Sequence, residues 1–465
     1  MKIFFHGGAR SVTGANYLVD TGTIKFLVDC GLNQGTKYAE ELNYSPFRYD
    51  PKEIKYVFIT HSHIDHIGRL PKLYKDGFRG KVYTTSATRD LMEAALPDNM
   101  KQIAQEAENM GHEPLFGQAE LDGIMSLVEG IHYDETIDLG TSGEQDSDLR
   151  VFFHDAGHIL GSAIIEVQWR EGGDLKKIYF SGDLGNPPTP LLRPTEKITD
   201  ANYIVVESAY GDRIHEDRTE RRAKLMGIIT DTIKRGGTLM IPSFAIERTQ
   251  ELLFELNNLF NSNLIPRVPV FIDSPLAIKM TAVYKKHSEY FNKETIYLIE
   301  SGDDIFNFPG LKMTATTEES KMINDVPQPK VVIAGSGMSQ GGRILHHEVR
   351  YLSDEKSTIL FVGYQVDGSL GRRIQVGEKE VKILGQMVPV NCHVESISSY
   401  SAHADQKGLL EWIGGSTKRK GGAGNLKETF VVQGEEEAAK TLANLVHENF
   451  GVTAVAPTED QSFEL

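Results

Sequence analysis

Thr60-His61-Ser62-His63-Ile64-Asp65-His66 crowds three imidazoles and a carboxylate into one short segment. Imidazole and carboxylate are the side chains that suit zinc and similar borderline ions. His61 and His63 alternate, so both can point the same way from an extended loop, while Asp65 and His66 face a second position nearby. One ion cannot comfortably take all four from so short a stretch, and the spacing predicts two adjacent metals. The competing reading, a solvated polar turn, gives clustered histidines no structural use.

A segment like this needs a scaffold. The apolar run Tyr56-Val57-Phe58-Ile59 before it reads as a buried strand, so the ligands sit at a strand's C-terminal end. Four other segments repeat the arrangement. Ile24-Lys25-Phe26-Leu27-Val28 ends in Asp29; Val151-Phe152-Phe153 is followed by His154 and His158; Lys177 to Gly182 ends in Asp183; Tyr203-Ile204-Val205-Val206 ends in Glu207. Open α/β sheets build their sites at strand C-termini, and five such endings argue for a common site.

These segments resemble the metallo-β-lactamase superfamily. Asp29 is similar to its first motif, His61-Ser62-His63-Ile64-Asp65-His66 to its second, Ala156 to Ala163 to its third and Ser181-Gly182-Asp183 to its fourth. Beyond Glu207 the chain resembles the β-CASP branch, nucleases that act on RNA or DNA. Glu207-Ser208-Ala209-Tyr210-Gly211 looks like its motif A and Ser401-Ala402-His403-Ala404-Asp405 like its motif B. Pro242-Ser243-Phe244-Ala245, Asp273 to Ala277 and Gly335-Ser336-Gly337-Met338 resemble the RNA-acting subset, which includes the endonuclease subunit of the pre-mRNA 3′-end cleavage machinery and its bacterial and archaeal relatives. There is one departure. In the RNA branch a late strand ends in His-Gly-Glu, whereas here Thr429 to Val432 leads into Gln433-Gly434-Glu435. An amide oxygen is a harder and weaker ligand than imidazole, so occupancy or metal choice at one position hangs on Gln433.

The resemblance implies hydrolysis of RNA phosphodiester bonds, endonucleolytically, by hydroxide activated at two zinc ions. His61, His63 and His158 would hold one zinc, Asp65 and His66 the other, and Asp183 would bridge them. Asp29 would orient a ligand histidine from behind, as such carboxylates do. Asp65, Glu207 and His403 are the expected catalytic residues. His403 would be the acid for the leaving ribose oxygen, and Glu207 would keep it protonated near neutral pH. Other readings of the same core are a DNA nuclease, a small-molecule ester hydrolase, or an RNA-binding pseudoenzyme weakened at Gln433.

The loop Ala334 to Arg343 follows a strand and precedes a helix expected over Ile344 to Leu352. Its glycines allow close backbone approach and a helix N-terminus attracts anions, so Ser336, Gly337 and Arg343 are expected to meet a substrate phosphate. The Lys-Ser/Thr ending of a Walker loop is missing. His346 and His347 read as structural or substrate-facing.

Composition sets bounds. The 465 residues suffice for two or more domains. The net charge of −16, from 49 Lys plus Arg against 65 Asp plus Glu, argues against a broad basic groove, although metal charge dominates locally. Basic groups cluster at Arg218-Arg221-Arg222, Arg343-Arg350 and Arg372-Arg373, patterns met more often on solvated helix faces. No long apolar run predicts a membrane helix, and Met1-Lys2-Ile3-Phe4-Phe5 reads as a strand instead of a secretory leader. Cys30 and Cys392 are too few for a disulfide framework, which fits the cytoplasm. RNA is the expected partner, membranes are not, and a homodimer is left open.

Residues 1–208 read as strands, turns and a few helices. Residues 209–395 alternate helix and apolar strand, with helices over Arg221 to Arg235 and Glu247 to Phe260 and strands over 238–241, 268–272, 330–334 and 358–362. Residues 396–465 return to ligand-type residues. The alternation predicts an α/β fold in which a metal-binding domain is interrupted by an inserted parallel α/β domain, with substrate held in a cleft between the two, and the resemblance implies that the interrupted domain is a metallo-β-lactamase αββα sandwich.

Overall fold

A computed structural model of the chain describes residues 1–35, 37–140, 149–366, 368–419 and 422–465. It divides into two compact units. The first comprises Met1–Thr189, Pro194–Ile214 and His403–Leu465; the second comprises Pro190–Arg193 and His215–Ala402. The borders expected at 208/209 and 395/396 lie a few residues before the crossings at 214/215 and 402/403.

The first unit is built on two seven-stranded sheets. One runs in the order Ser462–Glu464, Lys2–Phe5, Tyr17–Asp20, Lys25–Val28, Ile54–Phe58, Lys81–Thr85 and Val128–Ile131. The other runs Thr453–Val455, Glu428–Val432, Tyr203–Glu207, Asp174–Phe180, Ala163–Glu171, Arg150–Asp155 and Thr136–Asp138. Inward-facing residues of both sheets share one core: Phe5, Val28 and Phe58 meet Phe153, Ile165, Phe180, Val205 and Phe430. Each such buried phenylalanine contributes about 2–3 kcal/mol of transfer free energy. The alternate residues face outward onto helices. Leu27, Val57 and Ile59 pack on Leu70, Leu73, Met92 and Leu96, while Ile204 and Val206 pack on Leu409, Trp412, Ala439 and Leu442. Helices thus cover both outer faces, the αββα sandwich expected from the sequence.

Periodicity does not single out the long helix Ser86–Met110. Its first half is buried at Leu91, Met92, Ala95 and Leu96, but its second half is half-buried or exposed apart from Ile103 and Ala107. A half-solvated helix carries only part of the apolar stripe that sequence reading relies on.

The second unit is a six-stranded, wholly parallel sheet in the order Leu311–Met313, Val270–Asp273, Lys330–Ala334, Thr238–Pro242, Thr358–Phe361 and His393–Ser396. Helices Arg221–Arg235, Arg248–Asn261 and Ile344–Tyr351 agree with the sequence reading to within one residue at each end. The strand expected from residue 268 starts at Val270, because Pro269 lacks the N–H that a ladder position needs. Met240, Val332 and Ile359 pack against Ile344 and Ile374 in one core.

That core holds an unusual acid. Glu348 is fully buried; one carboxyl oxygen meets the Ser339 hydroxyl and the other has no hydrogen-bond partner among the described residues. Burial pushes its carboxyl up to about 8. An unfolded glutamate titrates near 4.3. Between these values the unfolded chain releases a proton that the folded chain keeps, so rising pH favours unfolding. Stability is expected to decline from about pH 4 towards pH 8 through this group. Glu348→Gln should flatten that decline in urea melts at pH 5.5 and 8.5, and parallel pH profiles for both proteins would refute the assignment.

Candidate metal centre

The site occupies strand C-terminal ends of both sheets of the first unit. Strands Lys25–Val28 and Ile54–Phe58 are parallel neighbours, so Asp29 and Thr60 emerge side by side. The Asp29 N–H donates to the Phe58 carbonyl at 2.9 Å, and its backbone turns away with φ of 62°. Its carboxylate accepts the Thr60 N–H and hydroxyl, each at 2.8 Å, and meets His66 Nδ1 at 2.7 Å. Asp29 thereby fixes the His66 ring from behind, and His66 Nε2 points forward, 3.5 Å from Asp183 Oδ1 and 3.7 Å from Asp65 Oδ2. Thr60, absent from the sequence-based list, supplies two of the bonds that hold this carboxylate. Its only signal was adjacency to His61.

His61 Nε2 stands 3.0 Å from His63 Nδ1, and His158 Nε2 stands 3.3 Å from the same atom. Asp183 Oδ2 lies 3.3 Å from His61 Nε2 and 3.6 Å from His158 Nε2. The four donor atoms all fall within 4.8 Å of one another. Gly182 lets the Asp183 turn approach closely: its φ is 53°, and an added Cβ would stand 2.7 Å from that of Thr60.

Electrostatics favour the ligand form at His61, His63, His158 and Asp183 but not at His66, which burial works to lower but Asp183, Asp29 and Asp65 raise well above the usual histidine range. Burial, reinforced by His66, lowers His61; burial and the neighbouring His61 hold His63 well below the usual histidine range; burial and His403 do the same for His158. Burial alone would raise Asp183, but the charges of His66 and His61 hold it well below the ordinary carboxylate range. Burial raises Asp65 against the pull of His66. Neutral imidazoles with converging lone pairs and one ionised carboxylate would repel one another unless a cation lay among them. The donor set therefore fits a divalent metal.

Beside them, Asp183, Glu207 and His403 form a second close group. Glu207 is fully buried at the end of its strand; Oε1 accepts the Leu184 N–H at 2.5 Å, and Oε2 meets His403 Nδ1 at 3.1 Å. The His403 ring lies 4.5 Å from that of His158, centroid to centroid. Burial works to lower His403, but Glu207 and Asp183 push it up to about 9. Asp405, not His403, caps the following helix Gln406–Gly414. Gln433 is buried with φ of 49°, and its side-chain nitrogen lies 3.1 Å from His66 Nε2.

Some expected residues lie elsewhere. His154 is the penultimate residue of the strand Arg150–Asp155 and pairs with Glu166 at 2.7 Å and Glu196 at 3.0 Å. In the second unit, Arg343 donates to Asp273 and to the Thr314 carbonyl, each at 2.8 Å, and to the Ala315 carbonyl at 3.0 Å. Asp273 also meets His347 at 2.8 Å and Ser320 at 2.7 Å, so this guanidinium serves the fold. The Ser336 hydroxyl accepts the Gln340 N–H at 3.0 Å, and the Gly337 carbonyl accepts from Gln365 at 3.1 Å. Arg218 donates to the carbonyls of Ser399 and Ser401, Arg222 pairs with Glu255, and Arg373 with Glu378. These bonds place most of the sequence's basic clusters in structural roles.

The sandwich and its strand-end donors define a metal-dependent hydrolase. Family profiles agree along the chain: the metallo-beta-lactamase superfamily over residues 12–222, the Beta-Casp domain over 249–374, and the Zn-dependent metallo-hydrolase RNA specificity domain over 387–457. Ribonuclease TTHA0252 of Thermus thermophilus is 38% identical over 96% of each chain. The transcription termination factors FttA of Methanosarcina mazei and Methanocaldococcus jannaschii are 32% and 30% identical over 99% and 98% of this chain and 71% and 70% of their own. A solved protein of unknown function from Enterococcus faecalis shares the fold, with TM-score 0.56 and 12% identity over 100% of this chain and 99% of its own. The chain belongs to the β-CASP branch of the metallo-β-lactamase superfamily. Among the described residues, no helix is long and apolar enough to cross a membrane.

Proposed function

We propose that this chain is a zinc-dependent endoribonuclease with a two-metal centre. The observation that carries the reading is the convergence of His61, His63, His158 and Asp183, with the His403–Glu207 pair beside them. His61, His63 and His158 would hold one zinc, Asp65 and His66 a second, and Asp183 would serve both. Bound there, divalent ions supply Lewis-acid charge to a phosphodiester and acidify water.

The remaining work falls to the chain itself. Asp29 and Thr60 hold His66 so that only Nε2 faces the centre. Glu207 anchors His403 through Nδ1, which leaves Nε2 to donate a proton to the departing ribose oxygen. The negative carboxylate keeps the imidazole protonated at neutral pH, in line with its raised position near 9. Ser336 and Gly337 remain candidates for contacting the substrate backbone, whereas Arg343 acts by holding their loop through Asp273. The two buried, unlinked cysteines, Cys30 and Cys392, suit a reducing cytoplasm.

The test is a labelled single-stranded RNA and the DNA of the same sequence, each incubated with zinc-loaded protein. Internal cuts in RNA, lost on chelation and restored by zinc, are expected. Intact RNA at micromolar enzyme would refute the reading, and equal cutting of DNA would replace it with a general nuclease.

A further inference from the structure

Arg218 Nη1, Arg221 Nη1 and the hydroxyls of Ser399 and Tyr400 are buried without a hydrogen-bond partner among the described residues. They belong to one group of side chains in the second unit. Arg218 donates through Nε to the Ser399 carbonyl at 3.0 Å and through Nη2 to that of Ser401 at 3.3 Å, so it bonds the chain on either side of Tyr400. The guanidinium of Arg221 lies 5.3 Å from the centre of the Tyr400 ring, and that of Arg248 lies 5.4 Å from it. Ser399 and Tyr400 are fully buried, while Arg218 and Arg221 are 8% and 7% exposed. A buried donor without an acceptor is unfavourable, and four such groups in one place call for a ligand that receives them together.

The surrounding charges select its sign. Glu255 is shared by Arg221 at 3.6 Å and Arg222 at 2.6 Å, and Glu251 pairs with Arg248. Glu247 accepts the Tyr284 hydroxyl at 2.5 Å. The hydrogen bonds of Arg218 run to carbonyls, not to carboxylates. Arg218, Arg221, Arg222 and Arg248 against Glu247, Glu251 and Glu255 leave one positive charge over. The helix Arg221–Arg235 also begins here without a side-chain cap, and its N-terminal dipole adds to the positive field. Burial and the nearby Arg221 pull the Arg218 guanidinium down to about 9, which leaves it charged at neutral pH. Burial raises the Tyr400 hydroxyl, which keeps its proton to donate. A water molecule would leave the extra charge uncompensated, whereas an anion cancels it.

We propose that Arg218, Arg221, Ser399 and Tyr400 form a binding site for a small monovalent anion of the halide class, chloride being the common example. Two guanidinium N–H groups and two hydroxyls donate to it, and an acceptor-only ion suits all four. One excess charge in a buried setting favours a monovalent ion over a phosphate or sulfate. The ion ties the first turn of the helix Arg221–Arg235 to the turn Ser398–Tyr400, from which the chain leaves the second unit three residues before His403. The site lies within the second unit and depends neither on the metal centre nor on the ribonuclease reading.

The test has two arms, both on the full-length protein. Crystals soaked in sodium bromide should show an anomalous peak in contact with Nη1 of both Arg218 and Arg221. In solution, sodium chloride should raise the melting temperature by about 1–4 °C over sodium gluconate at equal ionic strength, as a ligand held only by the folded chain does. Arg218→Gln, which removes the unpaired charge, should abolish that difference. Ser399→Ala and Tyr400→Phe, each removing one donor, should reduce it, and they decide the matter alone if Arg218→Gln fails to fold. A water at the position with no bromide, a bromide peak without a chloride effect in solution, or a chloride effect that survives in both hydroxyl variants would each overturn the site. RNA cleavage unchanged between chloride and gluconate would leave the ribonuclease reading in place and make the ion purely structural.

Discussion

Asp183→Ala is expected to reduce RNA cleavage by at least about 10³-fold, the loss that follows removal of one essential electrostatic group from a preorganised site. Its carboxylate faces four imidazoles of the centre. Oδ2 lies 3.3 Å from His61, 3.6 Å from His158 and 3.9 Å from His403, while Oδ1 lies 3.5 Å from His66. Alanine leaves three imidazoles on one side and Asp65 with His66 on the other, with no anion shared between them. The bound-zinc count should fall as well. The fold should persist, because Asp183 lies outside the apolar clusters that join sheets and helices. Single-turnover cleavage, metal analysis and a circular-dichroism melt of the metal-free variant make the test. Near-normal cleavage would refute the shared role, and an unfolded variant would show that the carboxylate is a structural necessity instead.

His403→Ala should behave differently. The metal content should stay normal, since His403 stands with Glu207 and outside the His61–His63–His158 set. Cleavage should slow by roughly 10²–10⁴-fold, the usual contribution of a positioned acid. A substrate whose leaving group needs no proton should recover much of that loss. Glu207→Gln keeps a hydrogen-bonding side chain but removes the charge that holds the imidazole protonated, so it should fall between wild type and His403→Ala. Loss of zinc from the His403 variant would make His403 a ligand; undiminished cleavage would remove it from the reaction altogether.

The sequence by itself determined which donors exist and roughly where they emerge. His61, His63 and Asp183 were legible because each follows a short apolar run, and an apolar run that ends in a ligand-type residue is local information. The inserted parallel sheet was legible because helices and apolar strands alternate along residues 209–395, whereas the two-layer plan was implied by the family resemblance. His154 shows the limit. It follows an apolar run like the others, but it lies within the strand Arg150–Asp155, and its partners are Glu166 and Glu196, which only the pairing of sheet strands reveals.

Tertiary structure decided what each donor does. Asp29 reaches His66 across 37 residues of sequence, Glu207 meets His403 across 196, and Gln433 meets His66 across 367. Arg343, expected to grip phosphate, is claimed by Asp273 across 70 residues, which the sequence around its glycine loop could not foretell. The physical reason is common to all four. Backbone conformation follows from neighbours along the chain, whereas a buried polar side chain must find its hydrogen-bond partner wherever the fold brings one within about 3 Å. That partner fixes which nitrogen of an imidazole bears the proton, which carboxylate keeps its charge, and which lone pair is left to face a metal.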